Sequence, residues 1–181
     1  MSFALLLTTA LALAGFLATS IQGFSVATGI GAGSAIARVL VRRHVGWAIP
    51  TVLFSLFSQS MVIFYFVGTG RLVKDEIAGF PEAEQKPILA ALRRFKAQTS
   101  PAATFALLAA IGVFVLGAAV HTRALPSWTH LAASVVAVAL HLWAFFAEWR
   151  AFAENNRLMD DPRKWVRALS VERSFRAHAD S

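Results

Sequence analysis

The chain has 181 residues, of which 57% are hydrophobic and only 15% charged, and its mean hydropathy is +0.60. A typical soluble domain carries about 25% charged residues, so this composition argues against a soluble protein, and the lack of cysteine excludes disulfides, thiolate metal sites and c-type haem. The net charge of +7 would suit nucleic acid in a soluble protein, but here the basic residues flank apolar runs, so we expect anionic lipid headgroups as partners and no nucleic acid.

Four long runs without Asp, Glu, Lys or Arg divide the chain: 1–37, 44–70, 97–122 and 124–147. A helix needs about 20 apolar residues, at about 1.5 Å each, to cross a hydrocarbon core of about 30 Å. The sequence therefore predicts an all-α integral membrane protein, a four-transmembrane-helix bundle over 1–150. Its predicted spans cover about 3–25, 47–67, 101–120 and 128–146.

The first run is too long for one crossing, since a continuous helix of 37 residues would measure about 55 Å. The simplest arrangement is one helix over 3–25, followed by a small-residue continuation, 26–40, that leaves the membrane or lies at its surface. The alternative is a tight turn near Gln22 and Gly23 and a fifth span. No Lys or Arg precedes the apolar start, so we expect an uncleaved first span rather than a signal peptide.

The hydrophilic loop between the second and third spans, 71–100, contains an amphipathic segment. Basic residues Arg93, Arg94 and Lys96 occupy one side of this segment when it is drawn as a helix. The apolar residues recur at helical spacing on the other side: Ile88, Leu89, Leu92 and Phe95. This pattern predicts a short interfacial helix that lies in the plane of the lipid headgroups.

Ser100 and Pro101 are typical of a helix N-cap and a first-turn proline, and they predict the start of the third span. The connection to the fourth span, 121–127, is short, so these two spans should form an antiparallel hairpin. In the C-terminal part, 151–181, apolar residues alternate with basic ones after Asp161 and Pro162. We predict a basic amphipathic helix that adheres to the membrane surface, with docking on a partner helix as the alternative.

The distribution of Lys and Arg predicts the orientation. The central loop carries six of them, and Arg150 together with the C-terminal part makes seven, whereas the opposite side carries four: Arg38, Arg42, Arg43 and Arg123. The positive-inside rule then places the loop, the C-terminus and, with four spans, the N-terminus in the cytoplasm. We expect a multi-pass protein of the cell inner membrane.

Three histidines fall at the opposite face, at the ends of three different spans: His44, His121 and His130. Neutral imidazoles from three helices would suit zinc, copper or iron, so these residues are a candidate metal site. The alternative is that the short connections place these histidines at the interface by necessity. The lack of a nearby carboxylate to orient the imidazoles favours this alternative.

His141 differs from these because it lies well inside the fourth span, where an ionisable group is a functional candidate by default. Ser58 and Gln59 on the second span fall at a similar depth. One hypothesis is a cofactor pocket in which His141 ligates haem b or hydrogen bonds a quinone, with Gln59 and Ser58 as polar partners. The favoured alternative is an interhelical hydrogen bond from His141 to Gln59. Glu148 is placed beyond this span, so no charged residue is expected within the membrane.

These features favour a non-catalytic anchor or accessory subunit of a larger membrane complex, or a homo-oligomer, without enzymatic activity of its own. One alternative is a haem- or quinone-binding anchor of an electron-transfer complex with its site near His141, and another is a small-molecule channel or carrier. Two stretches, FYFVGTGR at 64–71 and AENNRL at 153–158, resemble motifs, but the sequence assigns them no physical role.

Overall fold

The computed structural model describes residues 2–29 and 35–168, with side chains described outside 27–37. These residues form four long α-helices and one 3₁₀ turn, without a strand. The helices are α1 (Ser2–Gly29), α2 (Ala35–Glu76), α3 (Glu82–His121) and α4 (Ser127–Asp160), and the turn covers Ile77–Gly79. The predicted all-α class is confirmed.

Each of the four helices is long and apolar enough to cross a membrane. The predicted number is therefore confirmed within the described residues, and the alternative with a turn near Gln22 and Gly23 is wrong, because α1 continues through them to Gly29. The sequence predicted a small-residue continuation of the first helix over 26–40. From Ala35 onward these residues form the first turns of α2. The glycines at 31 and 33 lie outside the described residues.

The helices form an antiparallel bundle in which α1 packs on α2, α2 on α3, α3 on α4, and α4 back on α1. Two ends can thus be distinguished. The loop end contains Ser2, the turn Ile77–Gly79 and Asp160, and the histidine end contains His44, His121 and His130. The N-terminus of α1 lies at the same end as the central loop, as an even number of crossings requires.

Helix α4 explains how the bundle packs. Its buried residues include a series that alternates steps of three and four along the chain: Ser134, Ala137, His141, Ala144, Glu148, Ala151, Asn155 and Leu158. This repeat of 3.5 residues is the pattern that keeps one stripe of a helix against its neighbours in a left-handed bundle. Alanines at three of these positions allow close approach, and every second member of the series, which is every seventh residue of the chain, is polar.

Helix α2 is longer than a single bilayer crossing requires. Helix α2 has 42 residues and a length of about 63 Å, against a hydrocarbon core of about 30 Å. The ends of α2, α3 and α4 surround a shared apolar cluster, which includes Val73, Ile88, Phe95 and Leu158.

The predicted short interfacial helix does not form a separate element. Residues 82–100 are the first half of α3, which passes through Pro101 without ending, and Ile88 and Phe95 are buried in the loop-end cluster. The apolar stripe was identified correctly, but helices α2 and α4 cover it instead of the headgroup plane. An amphipathic stripe can be buried against either surface, and the neighbouring helices are long enough to reach it.

The predicted C-terminal part begins inside α4, which continues to Asp160 and buries Phe152 and Leu158. Residues 162–168 are helical, and the Asp161 carboxylate caps them by accepting a hydrogen bond from the backbone N–H of Lys164 at 2.9 Å. This bond lowers the pKa of Asp161. Trp165 packs against the loop-end cluster. Membrane adhesion by this part stays a prediction, and its residues 169–181 lie outside the described ones.

Candidate functional site

A column of polar side chains runs along the buried face of α4. Its members follow one another at intervals of seven residues, about 10 Å along the helix axis: Ser134, His141, Glu148 and Asn155. Glu148 and Asn155 are fully buried, and His141 is 2% exposed. Polar groups removed from solvent in this way need partners inside the protein. The Ser134 hydroxyl donates within α4 to the carbonyl oxygen of His130 at 2.8 Å, and the other three members of this polar column meet side chains or backbone of the bundle.

In the His141 layer, both imidazole nitrogens are hydrogen bonded. Nδ1 lies 2.7 Å from the carbonyl oxygen of Ala137, and Nε2 lies 2.8 Å from Oγ of Ser55 on α2. A carbonyl oxygen only accepts, so Nδ1 carries a proton, and in the neutral imidazole Nε2 accepts one from the Ser55 hydroxyl. The ring of Phe16 packs over the imidazole, with the ring centres 4.2 Å apart. His141 therefore cross-links α4 to α2.

The three residues predicted to share a pocket are separated by the structure. His141 bonds Ser55, whereas the Ser58 hydroxyl donates to Oγ1 of Thr8 on α1 at 3.1 Å, and Gln59 lies in the next layer. Helix α2 does supply the partner of His141, but one turn earlier than predicted. The sequence estimates the depth of each residue by counting from the end of the uncharged run on its own helix. This count does not include the axial offset between helices, so the predicted partner of His141 is wrong by about one turn.

A cofactor site at His141 would require a change in this layer. An axial haem ligand uses a free imidazole nitrogen, and here the Ser55 hydroxyl occupies Nε2 while Nδ1 is held by Ala137. The haem or quinone site with His141, Gln59 and Ser58 stays a prediction, which a visible spectrum and quinone extraction of the purified protein would test.

In the Glu148 layer, a carboxyl group lies between Thr9 of α1 and Gln59 of α2, and all three side chains are buried. Neither carboxyl oxygen completes a hydrogen bond, and neither does Oε1 of Gln59. The Thr9 hydroxyl already donates to the carbonyl oxygen of Leu6 at 3.0 Å. The ion pairs among the described residues do not include Glu148.

The chemistry of this layer favours an uncharged carboxyl group. A buried carboxylate needs a cation or several donors, and Thr9 and Gln59 provide few. A protonated carboxyl group supplies a donor of its own, which Oε1 of Gln59 is free to accept. The sequence placed Glu148 just beyond the fourth span, and the structure buries it, because the axial offset of α4 brings this residue level with uncharged parts of α1 and α2.

In the Asn155 layer, the side-chain amide of Asn155 donates to the hydroxyl oxygens of Tyr65, at 3.1 Å, and Thr69, at 3.5 Å. The Tyr65 hydroxyl in turn donates to Oδ1 of Asn156 at 3.4 Å. The two motif-like stretches, FYFVGTGR and AENNRL, therefore meet each other across α2 and α4. Their shared role is a polar contact that links these helices near the loop end.

At the histidine end, two of the three predicted metal ligands meet. The rings of His44 and His130 pack edge to face with their centres 6.1 Å apart, and Nδ1 of each is buried without a hydrogen bond. Each ring also packs on a glycine of the neighbouring helix, His44 on Gly23 and His130 on Gly117. His121 is exposed at the end of α3.

The metal site is consequently incomplete. Within the described ranges, no group of three His, Asp or Glu side chains is placed to hold a metal ion. The convergence of the helix ends was anticipated correctly for His44 and His130, which instead close this end of the bundle by contact with two glycines.

Sequence reasoning missed three members of the polar column, Ser134, Glu148 and Asn155. It also missed two side chains of α2 that bond to the column, Ser55 and Tyr65. One signal was present in the sequence, since Ser, His, Glu and Asn recur at every seventh position from 134 to 155. A strict interval of seven places residues on one stripe of a bundle helix. Comparison of the chain with protein families, with curated proteins and with solved structures gives no match, so its function has to be inferred from these layers and from the surface of the bundle.

Proposed function

We propose that this chain is a non-catalytic helical subunit of the cell inner membrane, an anchor or accessory subunit that acts by association with copies of itself or with a larger complex. The observation that carries this proposal is that His141, an ionisable member of the polar column, uses both imidazole nitrogens for hydrogen bonds within the chain. A residue bonded in this way holds helices together.

Polar layers of this kind suit a bundle surrounded by lipid. Lipid tails are as apolar as leucine, so burial of apolar surface does little to hold the helices together there, and close packing and interhelical hydrogen bonds take over. Each such bond is worth about 0.6 to 2 kcal/mol. A polar residue at one stripe position also fixes which turn of one helix meets which turn of the next. The column thus supports a rigid bundle with a single register.

The outer surface supports association. Large apolar side chains point outward from α2, α3 and α4, among them Phe57, Phe64, Phe105, Trp143 and Phe146. Such a surface fits lipid tails and the apolar helices of other subunits. The excess of Lys and Arg in the central loop and C-terminal part supports a cytoplasmic location for the loop end.

The proposal is tested by isolating the protein from its native membrane in a mild detergent and measuring the mass of the intact particle. We expect an oligomer or a stoichiometric complex with other subunits. Photo-crosslinking groups at Phe57 and Phe105, which are exposed, should then give discrete protein adducts in intact membranes. A monomer without companions, with lipid adducts alone, would overturn the proposal.

A second candidate is a proton-coupled carrier, and the burial of Glu148 is the specific observation that favours it. Ionisable groups within membrane helices commonly mark proton relays and ion pathways. Glu148 lies fully buried between α1, α2 and α4 and takes part in none of the ion pairs of the described residues.

Proton flux into liposomes that contain the purified protein distinguishes the two candidates. A carrier requires flux that falls at least tenfold in Glu148→Gln, because an amide cannot exchange a proton as a carboxyl group does. An anchor predicts no flux above empty liposomes for either protein. Equal flux through the native protein and Glu148→Gln would reject the carrier.

A further inference from the structure

A basic groove lies between α2 and α3 near the loop end. It has a volume of about 530 Å³, and both of its walls carry cations, Arg71 and Lys74 from α2 and Arg93 and Lys96 from α3. Phe66 and Val67 line the part of the groove nearer the middle of α2. The groove therefore combines four cations with an apolar lining.

The cations of the basic groove do not take part in the ion pairs of the described residues. Nearby basic residues behave differently. Arg94 pairs with Glu154 across α3 and α4, and Arg163 lies 3.9 Å from Glu84 and over the ring of Phe80. Four positive charges around one cavity, without such carboxylate partners, produce a local field that attracts an anion.

The position of the groove along the helices coincides with a change from uncharged to charged sequence. Arg71 is the first charged residue after the uncharged run 44–70 of α2, and Lys96 is the last before the uncharged run 97–122 of α3. If these runs cross the hydrocarbon, the groove lies at the boundary between headgroups and acyl chains, where it offers both cations and the apolar side chains of Phe66 and Val67. A phospholipid presents the same two kinds of group at that boundary.

We propose that the basic groove binds one anionic phospholipid, whose phosphate is held by Arg71, Lys74, Arg93 and Lys96 and whose acyl chain lies along Phe66 and Val67. Basic pockets between membrane helices recognise anionic headgroups in this way. Four cations favour a headgroup with two negative charges, such as that of a lipid with two phosphates. The proposal depends on membrane insertion but is independent of the anchor role.

Gly70 provides a direct way to close the groove. It lines the groove, and a side chain added there would meet no atom within 4 Å. A phenylalanine at position 70 can therefore fill the space without displacing the helices. Gly68 is equally unobstructed but does not line the groove, so Gly68→Phe is a matched control.

The experiment measures lipid retention by native mass spectrometry. The protein is placed in vesicles of phosphatidylcholine that contain one tenth cardiolipin, is extracted into detergent, and the lipids that stay bound are weighed. We expect about one cardiolipin per chain, in preference to phosphatidylcholine. Gly70→Phe and the double variant Arg71→Gln/Lys96→Gln should each retain at least tenfold less, whereas Gly68→Phe and Arg150→Gln should retain as much as the native chain.

Two results would overturn the proposal. The first is equal retention of cardiolipin and phosphatidylcholine, or unchanged retention in both the glycine and the charge variants while circular dichroism shows native helix content. The second is displacement of the lipid by millimolar inorganic phosphate, which would assign the groove to a soluble anion. A monomeric protein without subunit partners but with selective lipid retention would reject the anchor role and leave the lipid site intact.

Discussion

Lysine in place of Glu148 is expected to prevent the bundle from folding stably, with a loss of at least about 3 kcal/mol, whereas glutamine there should change the free energy of unfolding by less than about 1 kcal/mol. The Glu148 side chain is fully buried beside Thr9 and Gln59. A lysine ammonium in this layer would be a buried charge without a carboxylate. Glutamine keeps the shape of the protonated acid and supplies N–H donors that Oε1 of Gln59 is free to accept.

The measurement is the free energy of unfolding in mixed micelles, followed by circular dichroism as the denaturing detergent is increased. Glu76→Lys is the control, because it makes the same change of charge at an exposed position on α2, and it should leave stability within about 0.5 kcal/mol. Equal stability of Glu148→Lys and Glu76→Lys would show that position 148 is not enclosed by the bundle.

A leucine at position 148 distinguishes a structural role of Glu148 from a role in proton transport. Replacing a buried polar group by an apolar one of similar size is often neutral or stabilising, provided that its partners are not left worse paired. Because the Glu148 carboxyl completes no hydrogen bond here, we expect Glu148→Leu to fold. A carrier would lose its flux in this variant, whereas an anchor would retain its complex.

Leucine in place of Gly15 is expected to force α1 away from α2 and to lower the free energy of unfolding by about 2 to 3 kcal/mol, the cost of overpacking a tight contact. Even a single methyl group at Gly15 would lie 2.9 Å from Cγ2 and 3.2 Å from Oγ1 of Thr51. Thr51 is branched at Cβ and has little freedom to rotate away. The contact depends on the lack of a side chain, as in other closely packed membrane helices.

Gly112→Leu on α3 is the matched control for this change. A side chain added at Gly112 meets no atom within 4 Å, so the same leucine should be tolerated there and should gain slightly from its higher helix propensity. The unfolding experiment in mixed micelles compares both variants. If Gly15→Leu and Gly112→Leu had the same stability, the close approach of α1 and α2 at this position would be refuted.

The polar layers explain why the site was harder to predict than the helices. The start of α4 and the hydrophobic run of α2 are visible in the sequence, but the pairing of His141 with Ser55 instead of Gln59 depends on how far one helix is shifted along the other. One turn is about 5.4 Å, which is larger than the reach of these short hydrogen bonds. The residue types were identified, and their partners were not.

The loop end illustrates the same point for surface segments. The spacing of Ile88 and Phe95 correctly predicted a helix with an apolar stripe, yet the stripe packs against α2 and α4. Such a stripe can be buried either at the boundary between headgroups and acyl chains or against neighbouring helices. Only the lengths of α2 and α4, which continue to Glu76 and Asp160, decide between them.

The sequence by itself determined that this chain forms four long helices in antiparallel order. Uncharged runs of this length are apolar enough to cross a membrane as helices, in which each backbone group finds its partner within the same segment, and short connections make neighbouring helices antiparallel. Only the tertiary structure decided the axial offset of α4, which buries Glu148 level with Thr9 and Gln59 and brings Asn155 to Tyr65. Hydropathy is a property of each helix alone, whereas register depends on the side chains of two helices meeting.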